Sequence, residues 1–179
     1  MVFPVNDAAA TSLPFSPPTS PAALFARLDA LGIAHSTVTH PPLHTVEESQ
    51  HLRGTIPGGH TKNLFLRDRR DALFLVSALE AATIDLKRLH TILDCGRLSF
   101  GSADLMRALW GVEPGSVTPF GAINDTGTRV TVVLDAAMMR EPLLNFHPLR
   151  NTMTTAIASA DLVRYLQAVG HAPDRKSVV

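Results

Sequence analysis

Two apolar runs of strand length, separated by four charged residues, most strongly constrain the fold of this chain. The runs are "KNLFLRD" and "DALFLVSAL", and the charged residues 68–71 lie between them. This pattern is typical of a β-hairpin, in which two strands pair across a polar turn. A further run, "RVTVVLD", is almost continuously β-branched and indicates a strand in the interior of a sheet.

Apolar periodicity and capping residues predict several short helices around these strands. Ser20 and Pro21 suit the start of a helix in "PAALFARLDAL", and Gly32 suits its end. The spacing of Thr45 and Glu48 matches a capping box for another short helix. Three more helices are predicted in "IDLKRLHTIL", "ADLMRALW" and "ADLVRYLQAV", the last two with caps at Ser102 and Ser159.

The remaining apolar runs predict further strands, in "AHSTVTH", "RLSFG", "LLNFHPL" and "TMTTAIA". The order of elements indicates a single α+β domain: a mixed, mostly antiparallel sheet of six or seven strands with several short helices. We expect this domain to span residues 20–172. Residues 1–19 are rich in Pro, Ser and Ala and predict a loosely ordered leader, and residues 173–179 predict a C-terminal tail.

Charge and composition exclude several classes of protein. The formal net charge is zero, which argues against binding nucleic acid through bulk charge alone. Basic residues in the middle third can still form a local patch or a solvated face. The one cysteine, Cys95, cannot form an intrachain disulfide and indicates a reducing compartment. No apolar run reaches the roughly 18 residues of a membrane span, and the N-terminus lacks signal-peptide features. We therefore expect a cytoplasmic protein.

Histidines are concentrated early in the chain, where five of the eight lie between residues 35 and 60. Histidine is a common metal ligand. However, His40 and His44 are separated by two prolines, so they cannot share one face of a helix. No cysteine or carboxylate completes a recognisable ligand spacing. We therefore expect neither a metal nor a cofactor.

Polar residues at three points are candidates for a functional site. Lys62 and Asn63 follow a glycine-rich loop, where a lysine can bind a phosphate, although the spacing does not match a Walker loop. The segment "GVEPGSVTPFG" can present amide groups to an oxyanion or a ribose hydroxyl. His147 precedes a proline and is therefore extended. A solvated lysine, a simple turn and a structural histidine are the respective alternatives.

The order of these segments resembles a known family over residues 20–172. "KNLFL", "DLKRL", "RLSFGSADLM", "GVEPGSVTPFG" and "FHPLRNTMTTAIASADLVRYL" occur in the same order as in the free-standing prolyl-tRNA editing domains. These YbaK/ProX-like proteins are homologues of the domain inserted in bacterial prolyl-tRNA synthetases. Within the family, the chain is most similar to the alanyl-tRNA(Pro) deacylases.

The resemblance implies a metal-free hydrolase that cleaves the ester between an amino acid and the 3′ end of tRNA(Pro). By this resemblance Lys62 would hold the terminal phosphate and sugar, and Asn63 would orient the substrate. His147 would line the pocket and act as orienter or as general base. The implied substrate-binding residues are Gly115, Ser116, Thr118, Pro119 and Asn151. Candidates for contact with the acceptor stem are Arg97, Lys87 and Arg88.

The implied partners are aminoacylated tRNA(Pro), through its 3′ end and acceptor stem, and prolyl-tRNA synthetase, with no DNA and no membrane. A small second site would accept alanine and reject proline, completing a double sieve. Three alternatives stay open. The chain could be a cysteinyl- or seryl-tRNA deacylase of the same family, a non-catalytic module that binds tRNA or a synthetase, or a metal-dependent hydrolase that uses the histidine cluster.

Overall fold

The computed structural model describes residues 18–42, 48, 51 and 56–179. Most of the predicted leader lies outside these residues. The same holds for the helix predicted from Thr45, of which only two residues are described. The elements below therefore refer to the described part of the chain.

Apart from the helix predicted at Thr45, the predicted strands and helices occur in the predicted order. The helices with described bounds are α1 (Pro21–Ala30), α2 (Leu86–Ile92), α3 (Ala103–Leu105), which continues as a π-helical turn (Met106–Trp110), and α4 (Ser159–Ala168). Two 3₁₀ turns cover Pro119–Asn124 and Met138–Arg140. The strands are β1 (His35–Thr39), β2 (Gly59–Asp68), β3 (Leu73–Leu79), β4 (Leu98–Phe100), β5 (Val130–Asp135), β6 (Leu143–Phe146), β7 (Met153–Ala158) and β8 (Asp174–Lys176).

Side-chain caps define where most of these helices begin. The Ser20 hydroxyl accepts a hydrogen bond from the Ala23 amide at 3.2 Å, and the Ser102 hydroxyl caps α3 in the same way. These two predicted caps are confirmed. The predicted cap at Ser159 is wrong: Ser159 is already the first residue of α4, and its amide donates to the carbonyl oxygen of Pro142 at 3.1 Å. Strand β7 runs directly into the helix, which leaves no separate capping residue.

The sheet is mixed, with strand order β1-β7-β6-β2-β3-β5-β8, and β4 pairs with β2 outside this order. The pairs β2–β6, β3–β5 and β5–β8 are parallel, and the other strand pairs of the described residues are antiparallel. Strand β5 is interior, as predicted. The additional strand β8 lies in the predicted C-terminal tail. It is held by a hydrogen bond of 3.1 Å from the Val178 amide to the Asp135 carboxylate.

The sheet has two different faces because side chains alternate along each strand. One face, here called the core face, carries Phe65, Leu144, Phe146 and Ile157 and packs in the main hydrophobic core together with Trp110. Helices α1 and α4 also contribute to this core. Full burial of such side chains contributes about 1.5–3 kcal/mol each, so the core face supplies most of the stability.

The opposite face is divided into an apolar half and a polar half. The apolar half contains Leu66, Val76 and Ala78, and α2 covers it through Leu89 and Leu93. The polar half lies over β2, β6, β7 and β1. The strand registers place His60, Lys62, Asn145 and Thr154 on this side of the sheet. His40 and His147 directly follow β1 and β6; His40 bonds to Thr154 and its ring lies 6.4 Å from that of His147.

Strand β2 changes its neighbour along this face. It pairs with β6 at Gly59 and His60, and with β4 from Leu66 onwards. At the point of divergence the Thr61 hydroxyl donates to the carbonyl oxygen of Asn145 at 2.7 Å. Beyond this contact the two strands separate. The gap between β2 and β6 beyond the pair His60–Asn145 is called the fork below.

Candidate active site

Lys62 and Asn63 point to opposite faces of β2, because successive side chains of a strand alternate. Asn63 lies opposite Ser77 on β3, and its Oδ1 accepts a hydrogen bond of 2.5 Å from the Ser77 hydroxyl. Lys62 lies on the polar half-face, and its ammonium donates to the carbonyl oxygen of Ala82. The roles predicted for Lys62 and Asn63 therefore fall on opposite faces of the strand, and both stay predictions.

Lys62 and His147, by contrast, flank the fork on one face of the sheet. His60 of β2 pairs in parallel with Asn145 of β6, and Lys62 and His147 each lie two residues further along. Parallel neighbours run in the same direction and keep the same side-chain alternation. His147 directly follows Phe146, the last residue of β6, and continuing the alternation of that strand puts it on the same side of the sheet as Lys62.

Hydrogen bonding and burial hold the ring of His147 in one neutral tautomer. Its Nδ1 lies 2.9 Å from the carbonyl oxygen of Met153. A carbonyl can only accept, so Nδ1 carries the proton and Nε2 is the basic nitrogen. Burial lowers the pKa of His147 below its ordinary value of 6.5, and the neighbouring His40 lowers it further. At neutral pH this ring can therefore accept a proton at Nε2.

His40 supports the position of His147 from the adjacent strand. The two ring centres are 6.4 Å apart. The Nδ1 of His40 donates to the carbonyl oxygen of Pro41 at 2.8 Å, and its Nε2 contacts the Thr154 hydroxyl at 2.9 Å. Both ring nitrogens of His40 are thus engaged within the protein, so of these two rings it is His147 that offers a basic nitrogen to a substrate.

A cleft of about 520 Å³ adjoins the loop that follows His147. Gly115 has a φ of +89°, and a Cβ at this position would lie 4.0 Å from the Nδ2 atom of Asn151. The predicted Gly115 loop and the predicted Asn151 are therefore neighbours, as a shared substrate site requires. The cleft is lined by residues that include Ser116, Asn151, Thr152, Arg107 and Arg150.

Other members of the predicted loop have structural contacts. The Ser116 amide donates to the carbonyl oxygen of Glu113 at 2.9 Å, so it is not free to bind an oxyanion. Thr118 is fully buried. Its hydroxyl caps the buried 3₁₀ turn Pro119–Asn124, and its carbonyl oxygen accepts from the Trp110 indole at 2.6 Å. The expectation that the Thr118 hydroxyl contacts substrate does not fit this burial.

The predicted acceptor-stem residues lie apart from the cleft. Lys87 and Arg88 are exposed on α2, and Arg97 is exposed just before β4. Helix α2 covers the apolar half of the face that carries Lys62. These three residues therefore border the face that carries Lys62 and do not line the cleft beside Asn151. Their contact with tRNA stays a prediction.

Two arginines that the sequence analysis did not select line the cleft. Arg107 forms ion pairs with Glu113 at 2.8 Å and with Asp104 at 3.3 Å. Arg150 is exposed and directly precedes Asn151. Its position beside a predicted site residue is the signal that could have identified it.

Comparison with known proteins identifies the family. The model of the aminoacyl-tRNA editing domain matches residues 40–165, a range that includes both sides of the fork and the Gly115 loop. The chain belongs to this family. As an aminoacyl-tRNA editing domain it is an aminoacyl-tRNA deacylase, a hydrolase that acts on aminoacylated tRNA.

Individual relatives of this editing domain span nearly the same length. The chain is 33% identical to the prolyl-tRNA editing protein ProX of Acetoanaerobium sticklandii over 150 residues, covering 83% of this chain and 92% of the relative. It is 35% identical to prolyl-tRNA synthetase associated domain-containing protein 1 of Bos taurus over 161 residues, covering 85% and 91%. A solved structure of a proposed trans-editing enzyme for prolyl tRNA synthetase has the same fold, with a TM-score of 0.66, 19% identity and coverage of 88% and 97%.

The histidine cluster of the editing domain is dispersed where the structure describes it. His35 bonds to Asp29 at 2.9 Å, and His40 faces Thr154, while His44 lies outside the described residues. Within the described residues no three His, Cys, Asp or Glu side chains are grouped as metal ligands. Among the described helices, none is long and apolar enough to cross a membrane.

The floor of the fork contains two residues that the sequence analysis did not select, His60 and Asn145. In the described part of the chain, the His60 Nε2 and Asn145 Oδ1 atoms are buried without a hydrogen-bond partner. The alternation of "NFH" places Asn145 on the same face as His147, and this was the available signal. Asn145 is only 3% exposed, so its free acceptor atom requires an explanation.

Proposed function

We propose that this chain is a trans-editing deacylase that hydrolyses alanyl-tRNA(Pro) in the cytoplasm, alongside prolyl-tRNA synthetase. The name of the ProX relative, prolyl-tRNA editing protein, supports the choice of tRNA. The observation that supports the catalytic assignment is the parallel register of His60 and Asn145, since Lys62 and His147 each follow two residues later in the chain.

The two side chains have complementary chemistry. The ester of an aminoacyl-tRNA is already activated, so catalysis needs a positioned water and stabilisation of the developing oxyanion. Nε2 of His147 takes a proton from the attacking water, or orients that water through the ribose hydroxyl. The bond from the carbonyl carbon to the ribose 3′ oxygen then breaks, and that oxygen regains a proton. The products are free alanine and tRNA.

Lys62 supplies the positive charge in this scheme. Its ammonium binds a phosphate or sugar oxygen of the terminal adenosine, in exchange for its contact with the Ala82 carbonyl. Ser116 and Asn151 in the adjoining cleft hold the ribose and the end of the tRNA. In this proposal Asn63 positions β2 through Ser77 from the other face of the sheet.

Selectivity for alanine follows from steric exclusion. A synthetase site sized for proline cannot fully exclude alanine, because the lost contacts are worth only about 1–3 kcal/mol. A small second site accepts alanine and rejects the proline ring, since overpacking costs typically about 1–3 kcal/mol. His147 is one wall of this site, held by its hydrogen bond to the Met153 carbonyl.

Single-turnover deacylation of alanyl-, seryl-, cysteinyl- and prolyl-tRNA(Pro) tests the proposal. We expect the alanyl ester to be hydrolysed about 10- to 100-fold faster than the prolyl ester. His147→Ala should slow alanine release more than release of the bulkier residues. Equal rates on alanyl- and prolyl-tRNA would contradict the sieve.

The same assay separates the alternatives. Preference for the cysteinyl or seryl ester would assign another substrate within the family. Binding of tRNA without hydrolysis of any ester would indicate a non-catalytic module. Loss of activity in EDTA and its recovery with zinc would indicate a metal-dependent hydrolase; we expect EDTA to have no effect.

A further inference from the structure

The floor of the fork has the properties of a binding site for a hydrogen-bond donor. Asn145 Oδ1 and His60 Nε2 are buried without partners in the described residues. The two residues are register partners on parallel strands, so their side chains are neighbours on one face. Buried polar atoms are nearly always hydrogen-bonded in folded proteins. Two adjacent exceptions therefore indicate a position where a ligand supplies the missing bonds.

The amide of Asn145 is fixed in one orientation. Its Nδ2 donates to the carbonyl oxygen of Pro57 at 2.9 Å and lies 3.5 Å from that of Gly59. Carbonyl oxygens cannot accept from Oδ1, so the amide cannot be reversed. The free atom at the floor is therefore a hydrogen-bond acceptor, and its natural ligand is a donor.

The backbone of this region is shaped to hold that amide closely. Gly58 has a φ of +103°, and a Cβ there would lie 2.9 Å from the Leu143 carbonyl oxygen and 3.0 Å from Asn145 Nδ2. A residue other than glycine would displace the amide of Asn145. The hydrogen bond from Thr61 to the Asn145 carbonyl holds the same residue from the other strand.

The charges around His60 favour a cationic donor. A second cleft, of about 530 Å³, begins at His60 and is also lined by the carboxylates of Glu80 and Glu141. A carboxylate such as that of Glu141 on the wall of this cleft favours a positively charged donor over a neutral one.

We infer that Asn145 Oδ1 and His60 Nε2 bind the α-ammonium group of the aminoacyl ester. This inference rests on the proposed function. The scissile carbonyl carries the α-carbon as a direct substituent, so a bound ammonium fixes the ester relative to Lys62 and His147. Asn145 and His60 then act as positioning residues that require a free amino group, and they distinguish an aminoacyl ester from a simple acyl ester.

The test compares alanyl-tRNA(Pro) with propionyl-tRNA(Pro), which has the same carbon skeleton and no amino group. Rates are divided by the uncatalysed hydrolysis rate of each ester. We expect Asn145→Leu to slow the alanyl ester about 10- to 100-fold, the loss of one hydrogen bond to a charged group. The propionyl rate should change less than about threefold.

His60→Phe, which removes Nε2 and keeps an aromatic ring, provides a second variant if Asn145→Leu does not fold. His90→Phe, on α2, is the matched control. Thermal unfolding of each variant shows which of them are folded. The inference is overturned if the folded variants slow both esters by the same factor, or if the wild type has no preference for the alanyl ester. A wild type that hydrolyses no mischarged tRNA would overturn the proposed function as well.

Discussion

The two faces of β2 differ in what their side chains do. On the core face Phe65 is 1% exposed and packs in the main hydrophobic core, and Asn63 bonds to the buried Ser77. On the other face His60 and Lys62 border the fork. The same six-residue stretch, 60–65, thus alternates between residues that hold the sheet together and residues that are available to a ligand.

This comparison shows how one strand can serve stability and chemistry independently. A residue and its second neighbour share a face, whereas adjacent residues do not. A shift of register by one residue would exchange the two sets and bury Lys62. The long pairing of β2 with β3 maintains the register from Thr61 to Arg67. Substitutions on the two faces should therefore have separable effects.

The largest effect is expected from Phe65→Ala on the core face. Removing this buried ring should lower the free energy of unfolding by about 3–5 kcal/mol, and activity per folded molecule should be kept. Urea unfolding measures the change, and Phe100→Ala is the matched control, because Phe100 is 62% exposed. A loss below about 1 kcal/mol would show that the core face does not carry the stability.

Lys62→Ala on the other face should have the opposite result. We expect deacylation of alanyl-tRNA(Pro) to fall by at least about 100-fold, or about 2.7 kcal/mol, with little change in thermal stability. Lys176→Ala is the control, since Lys176 also bonds to a backbone carbonyl, that of Ile92 at 3.3 Å. If activity persisted while the melting temperature dropped by several degrees, Lys62 would be structural.

A smaller effect is expected from Asn63→Ala, which tests whether Asn63 stabilises the sheet through Ser77 or contacts the substrate. Loss of the Asn63 side chain leaves the buried Ser77 hydroxyl without this partner and should cost about 1–2 kcal/mol of stability. Adding Ser77→Ala should recover part of that loss. Chemical denaturation of the single and double variants measures the coupling. If kcat/KM fell with no loss of stability, Asn63 would contact the substrate.

The smallest expected effect is a pH dependence of the free energy of unfolding that arises from His147. Burial lowers the pKa of His147 in the folded protein below its ordinary value of 6.5, so the unfolded chain binds a proton more readily. This contribution to stability is complete above pH 6.5 and is lost as the pH falls through the lowered pKa. His147→Gln should remove this part of the pH profile.

The rate of deacylation should depend on the protonation of His147, in a pH range above the one in which Asp68 affects stability. Because the pKa of His147 is lowered, Nε2 stays unprotonated to a more acidic pH than in a free histidine, and deacylation should persist somewhat below pH 6.5. Asp68, whose pKa is lowered mainly by the hydrogen bond from the Gly96 amide, affects stability only near and below 3.8. If acidification already abolished activity at a pH above 6.5, the assignment of His147 as a neutral base would be wrong.

Local sequence signals predicted much of the fold. Ser20, Ser102 and Gly32 determine where helices begin or end through contacts within a few residues, and such contacts can be inferred from a sequence. The hairpin of β2 and β3 was also predicted from a local signal, two apolar runs separated by four charged residues. The strand β8 was missed because Asp174–Lys176 is polar and becomes a strand only by pairing with β5, nearly 40 residues earlier in the chain.

Part of the candidate site was also predicted from the sequence. The resemblance selected Lys62 and His147, and the parallel pairing of β2 and β6 explains why they face one gap. Strand alternation alone could have separated Lys62 from Asn63. The burial of Thr118 and the buried, unpaired acceptor of Asn145 could not be predicted, because both depend on neighbours that are distant in the sequence.

The packing of Trp110 against the Thr118 carbonyl makes the chain suitable for fluorescence measurements. Trp110 is the one tryptophan in the sequence, and it is fully buried. Its indole lies so close to Gly121 that a Cβ there would be 2.1 Å away. Emission from this single tryptophan therefore reports on the segment that carries Gly115 and Ser116. A spectral shift on addition of tRNA would follow that segment directly, without a label.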